Sequence, residues 1–126
     1  SFFRDFHPYE ALRKRILLAL SEAFHPAGVF WTADTGVAKS MDGDRVIRFG
    51  LPGQSDIQGC LNGRWIGVEV KTATGRQRKN QVAFQRAIEA AGGFYCVARS
   101  PEEAVAAVRG AVTVHDRIAG RRRALG

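Results

Sequence analysis

The chain has 126 residues, enough for one domain with a modest core and too few for two. A formal charge of +7 and a pI near 10.3 argue for an anionic partner, nucleic acid or an anionic membrane surface, with a merely cationic soluble protein as the bland alternative. The longest aliphatic run, Ile16 to Leu20, is far below the ~20 residues of a spanning helix, and the first residues carry no signal-peptide core, so a cytoplasmic location without membrane contact is expected.

Residues 8–24 predict the first helix. Pro8 suits its first turn, and Tyr9, Leu12, Ile16, Leu20 and Ala23 recur at helical spacing. Arg13, Lys14 and Arg15 are expected on the exposed side, with Pro26-Ala27-Gly28 as the stop. Val29–Thr32 predicts a short strand rich in β-formers. Residues 33–44 read as a polar connection with turn chemistry at Asp34-Thr35-Gly36 and Asp42-Gly43-Asp44. Val46–Phe49 predicts a second strand before the turn Gly50-Leu51-Pro52-Gly53.

A hairpin follows, roughly Ser55 to Leu61 and Arg64 to Lys71, around the turn Leu61-Asn62-Gly63-Arg64. Ile57, Leu61, Ile66, Val68 and Val70 supply its apolar face, as expected of a sheet covered by helices on that side. After the loop Thr72-Ala73-Thr74-Gly75, a second helix is expected from about Gln77 to Ala91, with Gln81, Phe84, Ile88 and Ala91 as its stripe. Phe94–Ala98 reads as a buried strand, and Ser100-Pro101-Glu102-Glu103 as the N-terminus of a third helix through about Arg109. Cys60 and Cys96 sit in apolar strand-like runs without CxxC spacing and are expected as buried free thiols.

The order α-β-β-β-β-α-β-α predicts an α/β fold with a central mixed sheet of about four strands, one strand pair being parallel across a helical crossover. The whole chain, 1–126, is expected as one domain, with a motif-bearing core of about 8–109 and a basic tail or short helix over 110–126.

The hairpin also carries chemistry. Asp56 lies at its start, Glu69 thirteen residues on, and Lys71 two beyond that, on the face opposite Val68 and Val70. Two carboxylates can hold a hard divalent ion such as Mg²⁺ or Mn²⁺, and an adjacent ammonium can orient water and stabilise an anionic transition state. The competing interpretation is two surface acids on an exposed sheet face. Against it, acids are disfavoured on short apolar strands, and 71–86 holds Lys71, Arg76, Arg78, Lys79 and Arg86 without an acid. Such a cationic rim suits a polyanion, although each of these side chains could equally be a solvated surface residue.

The ordered set Thr35-Gly36, Gly50-Leu51-Pro52-Gly53-Gln54-Ser55-Asp56, Glu69-Val70-Lys71, Thr74-Gly75 and Gln81 resembles the VRR-NUC family over about Glu10 to Ala104. That family is a branch of the PD-(D/E)xK restriction-endonuclease-like nucleases. The resemblance implies a restriction-endonuclease-like core and a Mg²⁺- or Mn²⁺-dependent DNA endonuclease that needs no nucleotide cofactor. It implies Asp56, Glu69 and the Val70 backbone carbonyl as metal ligands, Lys71 as catalytic lysine and Gln81 beside it. Glu10 matches the acid that the first helix often adds to the metal site, with Glu22 as its rival. Arg76, Arg78, Lys79, Thr35, Gly36 and Lys39 are expected to meet the nucleic acid. Where the family usually has a serine shortly before the glutamine, this chain has Arg78-Lys79-Asn80. The resemblance also implies a partner and a substrate: several stand-alone domains of this kind pair into symmetric dimers and cut four-way junctions, so branched DNA and a homodimer are expected. Phe2, Phe3, Phe6 and Trp31 are the apolar candidates for an interface. His7, His25 and His115 are isolated and read as structural or surface residues. The alternative function is a non-catalytic nucleic-acid-binding module on the same fold.

Overall fold

Ile57, Leu61, Ile66, Val68 and Val70 alternate along the hairpin, and that alternation sets the layering of the molecule. The computed structural model describes residues 8–33, 36–49 and 54–125, with 36–39, 47–49 and 114–125 described by backbone alone. Its elements run α1 (Pro8–Ala23), β1 (Gly28–Thr32), β2 (Gly36–Lys39), β3 (Val46–Phe49), β4 (Ile57–Leu61), β5 (Arg64–Val70), α2 (Lys79–Ala90), β6 (Phe94–Ala98) and α3 (Pro101–Leu125). A four-stranded sheet has the order β1-β4-β5-β6. The β1/β4 and β4/β5 pairs are antiparallel, and β5/β6 is parallel, joined by the α2 crossover. Between β4 and β5, Asn62 and Gly63 both take positive φ, the tight two-residue turn that Asn-Gly favours.

Ile57 stands opposite Val68, and Ile66 opposite Phe94, so the aliphatic residues of neighbouring strands share one face. Ile57, Leu61, Ile66, Val68 and Val70 are all buried there, against Leu12, Ile16 and Leu20 of α1 and Ala104 and Val108 of α3. On the opposite face α2 covers the β6 side of the sheet. Its Phe84 ring meets Trp65 at 6.1 Å and Tyr95 at 6.2 Å between centroids. Phe84 and Ile88 of the expected stripe are half-buried, whereas Ala91 lies beyond the helix and is exposed.

Several elements differ from their expectation. Residues 36–39, expected as part of a polar connection, form β2, which pairs with β3 across the Asp42-Gly43-Asp44 turn as a separate two-stranded ribbon. Gly43 supplies the positive φ of that turn, and the Asp44 N–H donates to Asp42 Oδ1 at 3.0 Å. Val46–Phe49 therefore belongs to this ribbon and not to the central sheet. The third helix begins as expected, with Ser100 Oγ accepting the Glu103 N–H at 3.1 Å, but runs on to Leu125. Its apolar spacing continues from Val105 and Val108 to Val112, and Gly110 has nothing within 4 Å of where a side chain would begin. Both cysteines are free, but Cys60 is exposed and only Cys96 is largely covered, its thiol pushed up to about 12 by burial and the Glu103 carboxylate. Arg13, expected on the exposed side of α1, turns inward and keeps only 15% of its side chain exposed. Among the described residues no helix is long and apolar enough to cross a membrane.

Candidate active site

Asp56 immediately precedes β4, and the β4/β5 register carries it to the level of Glu69 on the α2 face. Its carboxylate is held at both oxygens: Oδ2 accepts the Val70 N–H at 2.8 Å, and Oδ1 accepts the Tyr9 hydroxyl from the first turn of α1. The Tyr9 hydroxyl is raised well above its ordinary pKa by burial and by the acceptor Asp56, so it remains a donor.

Glu69 is only 2% exposed, an extreme for a carboxylate on a strand. Its Oε1 accepts the Gln81 amide at 2.7 Å and lies 3.6 Å from Lys71 Nζ, while Oε2 accepts the Tyr95 hydroxyl at 3.3 Å. Asp56 and Glu69 lie within hydrogen-bonding reach of each other. Burial first and the Asp56 charge second push Glu69 up to about 8, against the pull of Lys71 and Tyr95. Two acids that cannot both be comfortably ionised in one dry place form a site that favours an added cation.

Gln81 ties the site to the start of α2. Its Oε1 accepts the Arg78 N–H at 2.8 Å, closing the first turn of the helix and fixing its amide nitrogen as the donor to Glu69. Lys71 keeps 13% of its side chain exposed, and Gly75 leaves room for its stem, since a Cβ there would meet Lys71 Cδ at 3.3 Å. Arg99 donates to the Gly75 carbonyl at 2.9 Å, anchoring the loop that carries this glycine to the end of β6.

Asp56, Glu69, Lys71 and Gln81, four of the residues expected at the site, are thus gathered at one end of the sheet, with the Val70 peptide against Asp56. Arg76, Arg78 and Lys79 are exposed at the loop and helix start beside them. Glu10 is not gathered with the two acids: it pairs with Arg13 at 3.1 Å, and among the described residues no three His, Cys, Asp or Glu form a group able to hold a metal. Thr35 lies outside the described residues, and Gly36 and Lys39 are described by backbone alone in β2. The chain's two tyrosines, each donating to one of the acids, escape sequence reasoning. Tyr9 reads as a member of an apolar helical stripe and Tyr95 as a strand core residue; only their polar tips hint otherwise.

The donor set suits a hard divalent ion. It offers carboxylate oxygens with no thiol or imidazole, on rigid elements, with each acid oriented by a hydrogen bond from behind. No protein-family model matches the chain, and no curated protein matches it.

Proposed function

We propose that this domain is a metal-dependent deoxyribonuclease that hydrolyses phosphodiester bonds, with a restriction-endonuclease-like core and structure-selective cleavage of branched DNA. One observation carries the proposal. Asp56, Glu69 and Lys71 are separated along the chain yet converge on one face, where burial and mutual repulsion leave the acids in want of a cation. The resemblance of the ordered motifs, which include these three residues, to VRR-NUC nucleases points the same way.

Asp56, Glu69 and the Val70 carbonyl would hold Mg²⁺ or Mn²⁺. When bound, such an ion lowers the pKa of a coordinated water and neutralises charge on the phosphate. The chain's own groups do the rest. Lys71 sets its ammonium beside Glu69, able to orient the attacking water and to meet the charge that grows on the phosphoryl oxygens. Gln81 and Tyr95 hold the Glu69 carboxylate from two sides, and Tyr9 and the Val70 N–H hold Asp56. Each acid keeps its orientation without relying on the substrate. Arg76, Arg78 and Lys79, with Thr35, Gly36 and Lys39, would contact flanking phosphates. Glu10 would have to exchange its Arg13 partner to join the ion, so Asp56 and Glu69 are the principal ligands. A two-fold homodimer would present two such sites to opposing strands of a junction.

The test is a cleavage screen of labelled four-way junctions, flaps, single strands and duplexes with Mn²⁺ or Mg²⁺, run with Lys71→Ala in parallel. Cutting of at least one branched DNA is expected, with Lys71→Ala slower by about 10²–10³-fold while binding DNA nearly as well. No cleavage of any substrate, or equal loss of binding in the variant, would sink the proposal.

A further inference from the structure

The face of the sheet that carries Glu69 is only half covered. In the β1/β4 register Trp31 stands opposite Gln58 and Val29 opposite Cys60, and in β4/β5 Gln58 stands opposite Gly67, two residues before Glu69. By strand alternation, Val29, Trp31, Gln58, Cys60, Gly67 and Glu69 therefore share one side of the sheet. α2 packs over the β6 half of that side, through Phe84 on Trp65 and Tyr95. Toward β1 the cover ends: Trp31 is 43% exposed, Val29 64%, and Cys60 is exposed. Trp65 folds back over Gly67, where a Cβ would meet its ring at 2.4 Å, so the Trp65 indole covers β5 at that level and the uncovered part of the face is its β1 and β4 side.

We propose that this open half-face is a stacking platform for one unpaired base of a DNA strand, with Trp31 as its floor. The inference rests on the nuclease proposal for its substrate class, and it adds that the enzyme selects DNA carrying an unpaired nucleotide beside the cut. Three observations favour DNA as the occupant. The platform lies one strand away from Asp56. Gln58 stands opposite Trp31, and Asp56 is two residues before Gln58 on the same strand, about 7 Å along it and about 5 Å across to β1. A base on the indole thus brings its own or the neighbouring phosphate to Asp56 and Glu69. Next, the amide of Gln58, opposite Trp31, donates to that of Gln54 at 3.3 Å, a polar pair able to meet a base edge. Finally, the exposed cations Arg76, Arg78 and Lys79 flank the other end of the site and the chain carries +7 overall, which suits a polyanion. A flat partner such as a second copy of this chain would close the approach to Asp56 and Glu69. A single strand leaves that approach open and uses it. Indole stacking accepts any base, so selection is for unpaired structure and not for sequence.

Binding measured with Lys71→Ala as the parent, to suppress cutting, tests the platform. The probes are a duplex with a single-stranded arm bearing 2-aminopurine at successive positions and a blunt duplex of equal length. The parent should quench the 2-aminopurine most at one position near the branch. Adding Trp31→Ala should remove that quench and weaken arm binding about tenfold or more, with blunt-duplex binding little changed. Trp31→Phe should restore most of both, which a merely disturbed fold would not do. Equal affinities of the Trp31→Ala protein and its parent for the armed DNA would overturn the inference. So would a solution mass that drops from dimer to monomer in Trp31→Ala, which would assign the face to a second copy. Cleavage by the wild type with no effect of Trp31→Ala on binding defeats the platform alone. A Trp31-dependent quench from a wild type that cuts nothing defeats the nuclease proposal and leaves the platform standing.

Discussion

On β5, Ile66, Val68 and Val70 stand among Leu12, Ile16, Leu20 and Val108, while Gly67 and Glu69, alternate residues of the same strand, stand toward Gln81 and Tyr95. Burial does not separate the two sides: Val70 is 1% exposed and Glu69 2%. What separates them is what each residue finds there. The aliphatic side gains free energy from removing apolar area from water, and any residue of the right volume and polarity would serve. The acidic side removes a charge from water, a cost met by a lysine, an amide, a hydroxyl and, in the proposed activity, an ion. One side can be argued from pattern alone; the other needs named partners, and in the proposed activity a ligand as well.

That contrast can be broken by exchanging which side is cut back. Asp56→Asn should lower DNA cleavage by at least about 10²-fold while leaving the unfolding midpoint near that of the wild type. Ile66→Ala, on the other side, should cost about 2–5 kcal/mol of stability, with cleavage per folded molecule nearly unchanged. Urea melts and cleavage rates on the same preparations read both. The reverse pattern would mean that the acids serve the fold.

A smaller effect sharpens the contrast through pH. In the metal-free protein Glu69 is raised to about 8 from an ordinary 4.5, so between those values the folded state holds a proton that the unfolded chain has released. Its contribution to stability is therefore fully present below about pH 4.5 and is lost as pH rises toward 8. Denaturation midpoints should fall across that window, and Glu69→Gln should flatten the slope. An unchanged slope in Glu69→Gln would place the titrating group elsewhere.

The smallest effect concerns the thiols, which lie on opposite sides of the sheet. Cys60, exposed on the open side, should react with a disulfide reagent in the native protein within the mixing period. Cys96, covered and raised to about 12, should react only as the protein unfolds. Two fast thiols would show the aliphatic side to be open.

Much of this was legible in the chain because the signals were local. The alternation from Ile57 to Val70, the Asn-Gly turn and the Ser100 cap each specify their element within a few residues. Local signals also misled. The third helix, expected to end at about Arg109, runs on through Gly110, which faces open space and interrupts no packing, and Gly36–Lys39 is too short to show alternation before its partner strand is known. At the site, Asp56, Glu69 and Lys71 were readable from spacing, and Gln81 from the family resemblance. Tyr9 and Tyr95 were not, because their roles depend on long-range geometry. Tyr9 acts through the approach of α1 to the start of β4, and Tyr95 through a parallel register set by the crossover. Glu10 illustrates the limit: one residue from Tyr9, it is turned about 100° around the helix and meets Arg13 instead of the acids.

Half-buried Asp56 and buried Glu69 are proposed to hold a divalent ion together. Calorimetric titration of Mn²⁺ into the wild type, Asp56→Asn and Lys71→Ala tests this most directly, because no DNA substrate has to be guessed. Saturable binding to the wild type is expected, with loss of that binding in Asp56→Asn and binding retained in Lys71→Ala. Absence of binding to the wild type, or binding untouched by Asp56→Asn, would contradict it.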